Sequence, residues 1–368
     1  MHNPCLGTNL YPLGPLFNTW QSTLLTMHRF HTVWHPDSIT HRCIDSSTDE
    51  VPIWIGSPFY GIPSTNQDRF DPVQPLNRLL LLDVNVLGSI RERKNVANIR
   101  GLFAWAASEG LEITPIVAVS EQYRTHGAPD RAFKHYVDAL REDYLYDLPP
   151  HEVERLLHVF SEHSPAVAQN VDFLAHYCVL IKHFYHKPWS AERKVKELAE
   201  LIHKRNVPVL AFAFLLGCVC FYVRENPKKF PEASVSKVQS DMCIHANKEK
   251  ENTHLKNLAS DLMLFMAPAE IFFNHETSEF NFCYVASGDV SIGLTLAEIA
   301  YGQIVVGDGR CFGHPGFRPS GITGCALAAT VAQCLRQSPQ QSYSFKGRSD
   351  GRVDNLECLA RELMSEKA

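Results

Sequence analysis

The sequence contains no CxxC pair, no basic stretch leading into an apolar leader, no excess of positive charge and only one long uncharged run. Each absence narrows the reading. Its 11 cysteines are scattered, and the closest two, Cys218 and Cys220, lie in an apolar run where thiols act as small hydrophobes. That odd, unpatterned count points to a reducing cytoplasm. A net charge of -5 gives no global footprint for nucleic acid, so any such contact must use a local basic patch. The opening MHNPCLGTNLYPLGPLFNTW has no basic segment followed by an apolar one, and no secretory signal is expected. The uncharged run, residues 207–223 (VPVLAFAFLLGCVCFYV), starts with Pro208 and has no second run like it. At the bottom of the length range for a membrane span, it reads as a buried helix, with membrane association as the alternative.

What is present is a globular composition: 45% of the 368 residues are hydrophobic, enough for one large domain with insertions or two ordinary ones. Residues 1–75, rich in Pro, Asn, Ser and Thr, show no sustained period and read as an irregular arm in which Met27 could be an alternative start. Within it His28, His31, His35, His41 and Cys43 offer an HxxHxxxH spacing that a helix could turn toward a metal, but Pro36 interrupts such a helix, and solvated histidines are the preferred reading.

From residue 78 the pattern changes. LLLLDVNVL has strand length, Arg91 to Gly110 has helical spacing ending at a glycine, and EITPIVAVS reads as a second strand before EQYRTHG. Residues 128–250 form a helical insertion, with RAFKHYVDALREDY, HEVERLLHVFSEH, AQNVDFLAHYCVLIKHFY and AERKVKELAELIHKR as separate segments and a polar loop beginning near KFPEAS. From 251 to 337 helix and strand alternate again: an apolar helix carrying Asp261, the strand NFCYVASGD, a short helix SIGLTLAEIAYG and a further strand QIVVGDG. Such alternation predicts a largely parallel sheet. Residues 338–368 read as a polar tail with a short amphipathic helix.

In a parallel sheet the carboxyl ends of the strands share one edge, where open α/β sheets bind ligands. Asp83 and Asp289 stand at two such ends, and Glu121 follows the strand-like approach ITPIVAVS. Either aspartate alone is equally a helix cap, and Glu121 alone an ordinary first-turn glutamate. Asp261 lies on an otherwise apolar helix face, where an unpaired charge is expensive. Four carboxylates in one dry pocket raise one another's pKa values. Magnesium or manganese resolves that conflict, since both are hard cations that take oxygen ligands and can activate water against a phosphodiester.

These motifs resemble the PIN-domain nucleases. LLLLDVNVL is similar to that family's opening strand through Asp83 and Asn85, IVAVSEQYRTHG to its second motif through Glu121 and Gly127, SDLMLF to its third through Asp261, and YVASGDVSIGLTLAEIAYGQIVV to its last through Asp289. The likeness covers residues 78–127 and 250–307, and the long segment between Glu121 and Asp261 leaves Asp241 as the alternative third acid. The resemblance implies an α/β fold, a PIN-like three-layer α/β/α arrangement with a mainly parallel central sheet in two parts (76–127 and 251–337) around the helical insertion. It also implies a Mg- or Mn-dependent endonuclease, most often a ribonuclease, with DNA as the other substrate. Asp83, Glu121, Asp261 and Asp289 would hold metal, and Asn85 would support Asp83 and the substrate phosphate. An inhibitory, antitoxin-like partner fits the family, and a homo-oligomer is compatible with it.

Arg91, Arg93, Lys94 and Arg100 after the first strand, and Arg124 after Glu121, could position a phosphate backbone or form a solvated helix face. Two other readings stay open. IVVGDGR, with Asp308, resembles the later motif of haloacid-dehalogenase phosphatases, although Asn85 replaces their usual second aspartate. A non-catalytic interaction protein on a degenerate nuclease fold is the other.

Overall fold

Apolar runs bounded by turn residues become strands, and segments of 3.6-residue period become helices. The computed structural model describes residues 28–33, 42–45, 50–59, 62–64, 76–119, 121, 129–144, 150–274, 279–307, 310–336 and 349–365. In chain order, β1 (His28–Val33), β2 (Arg42–Ile44), β3 (Ile53–Gly56), β4 (Ile62–Ser64) and β5 (Leu76–Leu82) precede α1 (Val84–Arg91), α2 (Val96–Ser108) and β6 (Glu112–Thr114). A helical block follows: α3 (Pro129–Tyr144), α4 (Pro150–Tyr185), α5 (Ala191–Lys204), α6 (Ala211–Glu225), α7 (Glu232–Asp241) and α8 (Lys248–Glu270). The chain closes with β7 (Phe273–Asn274), β8 (Glu279–Ser287), α9 (Val290–Glu298), β9 (Ile299–Gly307), β10 (Arg310–Phe317), α10 (Ile322–Arg336) and α11 (Ser349–Ser365).

The result is a mixed α/β architecture with two sheets. In the first, ordered β2-β3-β8-β5-β6, the inner strand β5 runs parallel to β6 and β8, whereas β3, β2 and β7 pair antiparallel. The second, ordered β10-β9-β1-β4, is antiparallel throughout. Among the described residues, only the β5, β6 and β8 core of the expected parallel sheet is therefore present. β9, expected to extend that sheet, instead turns back on β10 and pairs with β1. Period and spacing identify a strand, but they do not choose its neighbours.

The segment before residue 76 is not wholly irregular: its described residues supply β1 to β4, two strands to each sheet. β3 shows why composition hid this. IWIG is only four residues long, between Pro52 and Pro58, and is buried on the edge of β8. His28 and His31 lie on strand β1 rather than on a helix, so the alternative of a helical metal face does not form there; His35 and His41 fall outside the described residues.

The uncharged run becomes α6, buried along nearly its whole length and packed on α4, α5, α7, α10 and β10. Among the described residues no helix is long and apolar enough to cross a membrane. The two segments read separately between residues 150 and 185 join into one 36-residue helix, α4, which runs through Pro165. α11 docks on α4 through Leu356, Leu359 and Leu363. The polar stretch after Phe230, expected to begin as a loop, folds as α7, and the expected junction near residue 250 lies within α8.

Candidate active site

The register of β5 on β8 builds the site. Leu82 pairs with Ala286, and the Asp83 N–H donates to the Ala286 carbonyl at 3.0 Å, so Asp83 and Ser287 leave adjacent parallel strands side by side. Leu80, Leu81 and Leu82 bury the end of β5 and fix where Asp83 emerges. Helices start at once on both strands: Asp83 caps α1, accepting from the Val84 N–H at 2.6 Å, and Asp289 caps α9, accepting from the Ser291 N–H at 2.7 Å. Each cap uses Oδ1. The second oxygen of each carboxylate is left for other partners.

Asp83 Oδ2 accepts from the Ser287 hydroxyl and from the Asn85 amide, each at 2.5 Å. Asn85 Oδ1 in turn accepts from the Gly288 N–H at 2.9 Å, and Ser287 Oγ accepts from the Asp289 N–H at 2.9 Å. The two strand ends are thus stitched together around one buried carboxylate. Burial pushes the Asp83 carboxyl up to about 6, against the bonds from Ser287 and the Val84 N–H and with the Asp289 carboxylate adding to the rise.

Asp261, on α8, faces the same cluster. Its carboxyl is raised well above the ordinary range, first by burial, then by the carboxylates of Asp83 and Asp289; Lys237 offsets part of this and Glu121 adds to it. Asp261 therefore lies within electrostatic reach of the other three acids singled out in the sequence, and Asp83 within reach of Asp289. Glu121 arrives differently from expectation: the helix leading to it begins at Ile116, directly after Pro115, so Glu121 sits beyond its first turn. Among the described residues, no three of these carboxylates bring oxygens within 4.8 Å of one another.

Lys237 fills part of the intervening space. Its ammonium lies 2.6 Å from Asp241 Oδ1 and 2.9 Å from Asp289 Oδ2. Burial pulls that ammonium down, and the two carboxylates outweigh it, holding Lys237 above its ordinary value. Asp241 is itself raised, by burial first, with Lys237 opposing and Asp289 adding. The two candidates for the third acid therefore divide: Asp261 faces Asp83, and Asp241 reaches the cluster through Lys237.

No protein-family model, curated protein or solved structure matches this chain. The site has to be read on its own chemistry.

The basic residues contribute unevenly. Arg91 pairs with Glu92 at 3.3 Å, Lys94 with Glu92 at 2.8 Å, and Arg93 with Glu142 on α3, while Arg100 is exposed on α2. Arg124 and Asp308 lie outside the described residues. Sequence reasoning missed Ser287 and Lys237. Ser287 had a legible signal, since it closes the apolar strand segment YVAS two residues before Asp289. Lys237 had none beyond its i,i+4 spacing to Asp241.

Proposed function

We propose that the strand-end carboxylates form the catalytic centre of a Mg- or Mn-dependent endonuclease that hydrolyses phosphodiester bonds, with RNA as substrate. The observation that carries this reading is Asp261: a desolvated carboxylate repelled by Asp83, Asp289 and Glu121 at the carboxyl edge of three parallel strands. An all-oxygen acidic donor set of this kind fits a hard divalent cation, and relief of the mutual repulsion would favour its binding. Asp83, Asp289, Asp261 and Glu121 would hold the ion, which supplies activated water and stabilises charge on the phosphodiester. The chain's own contribution is positioning: Ser287, Asn85 and the Val84 N–H fix the Asp83 carboxylate before any ligand arrives.

The PIN-like fold assignment belongs to the same proposal, supported by the Asp83, Asn85 and Asp289 contexts and by the parallel β6-β5-β8 core. A cytoplasmic setting rests on the scattered, unpatterned cysteines, and an inhibitory protein partner follows only from that assignment. One observation favours a non-catalytic alternative. Lys237 already neutralises the Asp241–Asp289 pair, as a degenerate site would.

The deciding experiment incubates purified wild type, Asp83→Asn, Asp289→Asn and Asp261→Asn with single-stranded RNA and DNA in Mn²⁺, Mg²⁺ or EDTA. Metal-dependent cleavage by wild type, reduced about 100-fold or more in each variant, is expected. Wild-type cleavage indistinguishable from that of the variants, or insensitive to EDTA, would displace the nuclease reading in favour of the interaction protein.

A further inference from the structure

The corner between α7 and α8 brings together three ligand atoms of a different character. Cys243 Sγ, a ring nitrogen of His245 and a ring nitrogen of His254 lie within 4.8 Å of one another, the only such group of three among the described residues. A thiolate and two imidazoles suit zinc, whose sites draw on cysteine and histidine, far better than they suit magnesium.

The surrounding contacts hold this corner in place without a metal. Lys182, only 2% exposed, donates to the Cys243 carbonyl at 2.8 Å and to Glu251 Oε1 at 2.9 Å. Glu251 Oε2 accepts from the His245 N–H at 2.8 Å, and His186 Nε2 donates to the Met242 carbonyl at 2.7 Å. His254 Nε2 lies 2.9 Å from the Asp241 carbonyl. A carbonyl only accepts, so that nitrogen carries the proton and Nδ1 keeps a free lone pair. A ring N–H committed to a backbone carbonyl is the outer contact that metal-binding histidines ordinarily make.

His245 and His254 also line an open depression of about 470 Å³ with Asn247, Glu249, Lys250 and Thr253. Three protein ligands beside an open cavity leave one tetrahedral position to solvent. We propose that Cys243, His245 and His254 bind one zinc ion, with release of the Cys243 thiol proton, and that the fourth position stays open to the depression. The ion would brace the corner carrying Asp241, whose carboxylate holds Lys237 against Asp289. This zinc site does not depend on the acidic cluster being a nuclease.

The test is a titration of the EDTA-stripped full-length chain with Co²⁺, followed by displacement with Zn²⁺. One equivalent of cobalt is expected to give a thiolate-to-cobalt charge-transfer band with tetrahedral d–d absorption, and zinc to abolish both. Cys243→Ser should remove the charge-transfer band, His254→Gln should weaken cobalt binding at least about tenfold, and Asp83→Asn should leave both signals intact. A wild type without the band, or a band surviving in Cys243→Ser, would overturn the assignment, since the latter would place the metal on another cysteine. If circular dichroism shows Cys243→Ser unfolded, the wild-type band and the His254→Gln affinity decide: unchanged affinity in that variant also overturns it.

Discussion

Asp83 divides its two oxygens between a helix cap and a strand clasp, and the cost falls on its charge. The carboxyl ionises near 3.8 in an exposed chain and is pushed up to about 6 when folded, chiefly by burial. Between those values the folded protein binds more protons than the unfolded one, so stability falls as pH rises and stays lower above about 6. A shift of that size corresponds to at most about 3 kcal/mol. Asn at this position still caps α1, carries no charge and removes one of the carboxylates repelling Asp261. In EDTA, the urea stability of Asp83→Asn relative to wild type should therefore improve by about 2 kcal/mol between pH 4 and pH 7.5. Parallel pH profiles for the two proteins would contradict the burial penalty assigned to Asp83. On the proposed reading, the burial penalty at Asp83 would be a stability–activity trade-off.

At the scale of elements, the candidate site is where two short helices start at the ends of parallel strands, with α7 packed on the second of them, α9. The strand ends were legible because an apolar run ending in an acid marks burial and exit together, as in LLLLD and YVASGD. The α7 contribution was not. Lys237 lies more than fifty residues before Asp289 in a polar segment, and only the packing of α7 on α9 brings them together. Lys237→Met removes the cation from two mostly buried carboxylates, which should lower stability at pH 7 by about 2 kcal/mol in EDTA. The same substitution frees Asp289 Oδ2 for other cations. Thermal denaturation should thus show a larger Mn²⁺-induced rise in Tm for Lys237→Met than for wild type if the acidic cluster is a metal site, and an equal rise if Lys237 does not compete there.

The whole molecule depends on a join between its two sheets that no periodicity announces. β3 ends at Gly56 in one sheet and β10 ends at Phe317 in the other, and the residues just beyond them meet. Phe59, fully buried, packs on Phe272, Phe282 and Tyr301, and the Tyr301 N–H donates to the Pro58 carbonyl at 2.7 Å. Arg318, buried to 4% exposure, donates to the carbonyls of Leu296, Ser57 (2.6 Å) and Phe59 (3.4 Å), so one guanidinium ties β10, α9 and the end of β3 together. Before folding, this arginine is one charge among 35 basic residues, and Ser57 is more than 250 positions away. Its role depends on partners that only the tertiary fold supplies. Arg318→Met keeps much of the apolar stem but leaves three carbonyls short of a donor in a dry interior, a loss of about 3 kcal/mol. Arg361, paired with Glu357 on the exposed face of α11 with 69% of its side chain accessible, is the control: Arg361→Met should change stability by no more than about 0.5 kcal/mol. Urea unfolding of both variants beside wild type measures the contrast, and equal midpoints would mean that Arg318 adds nothing to the join between the two sheets.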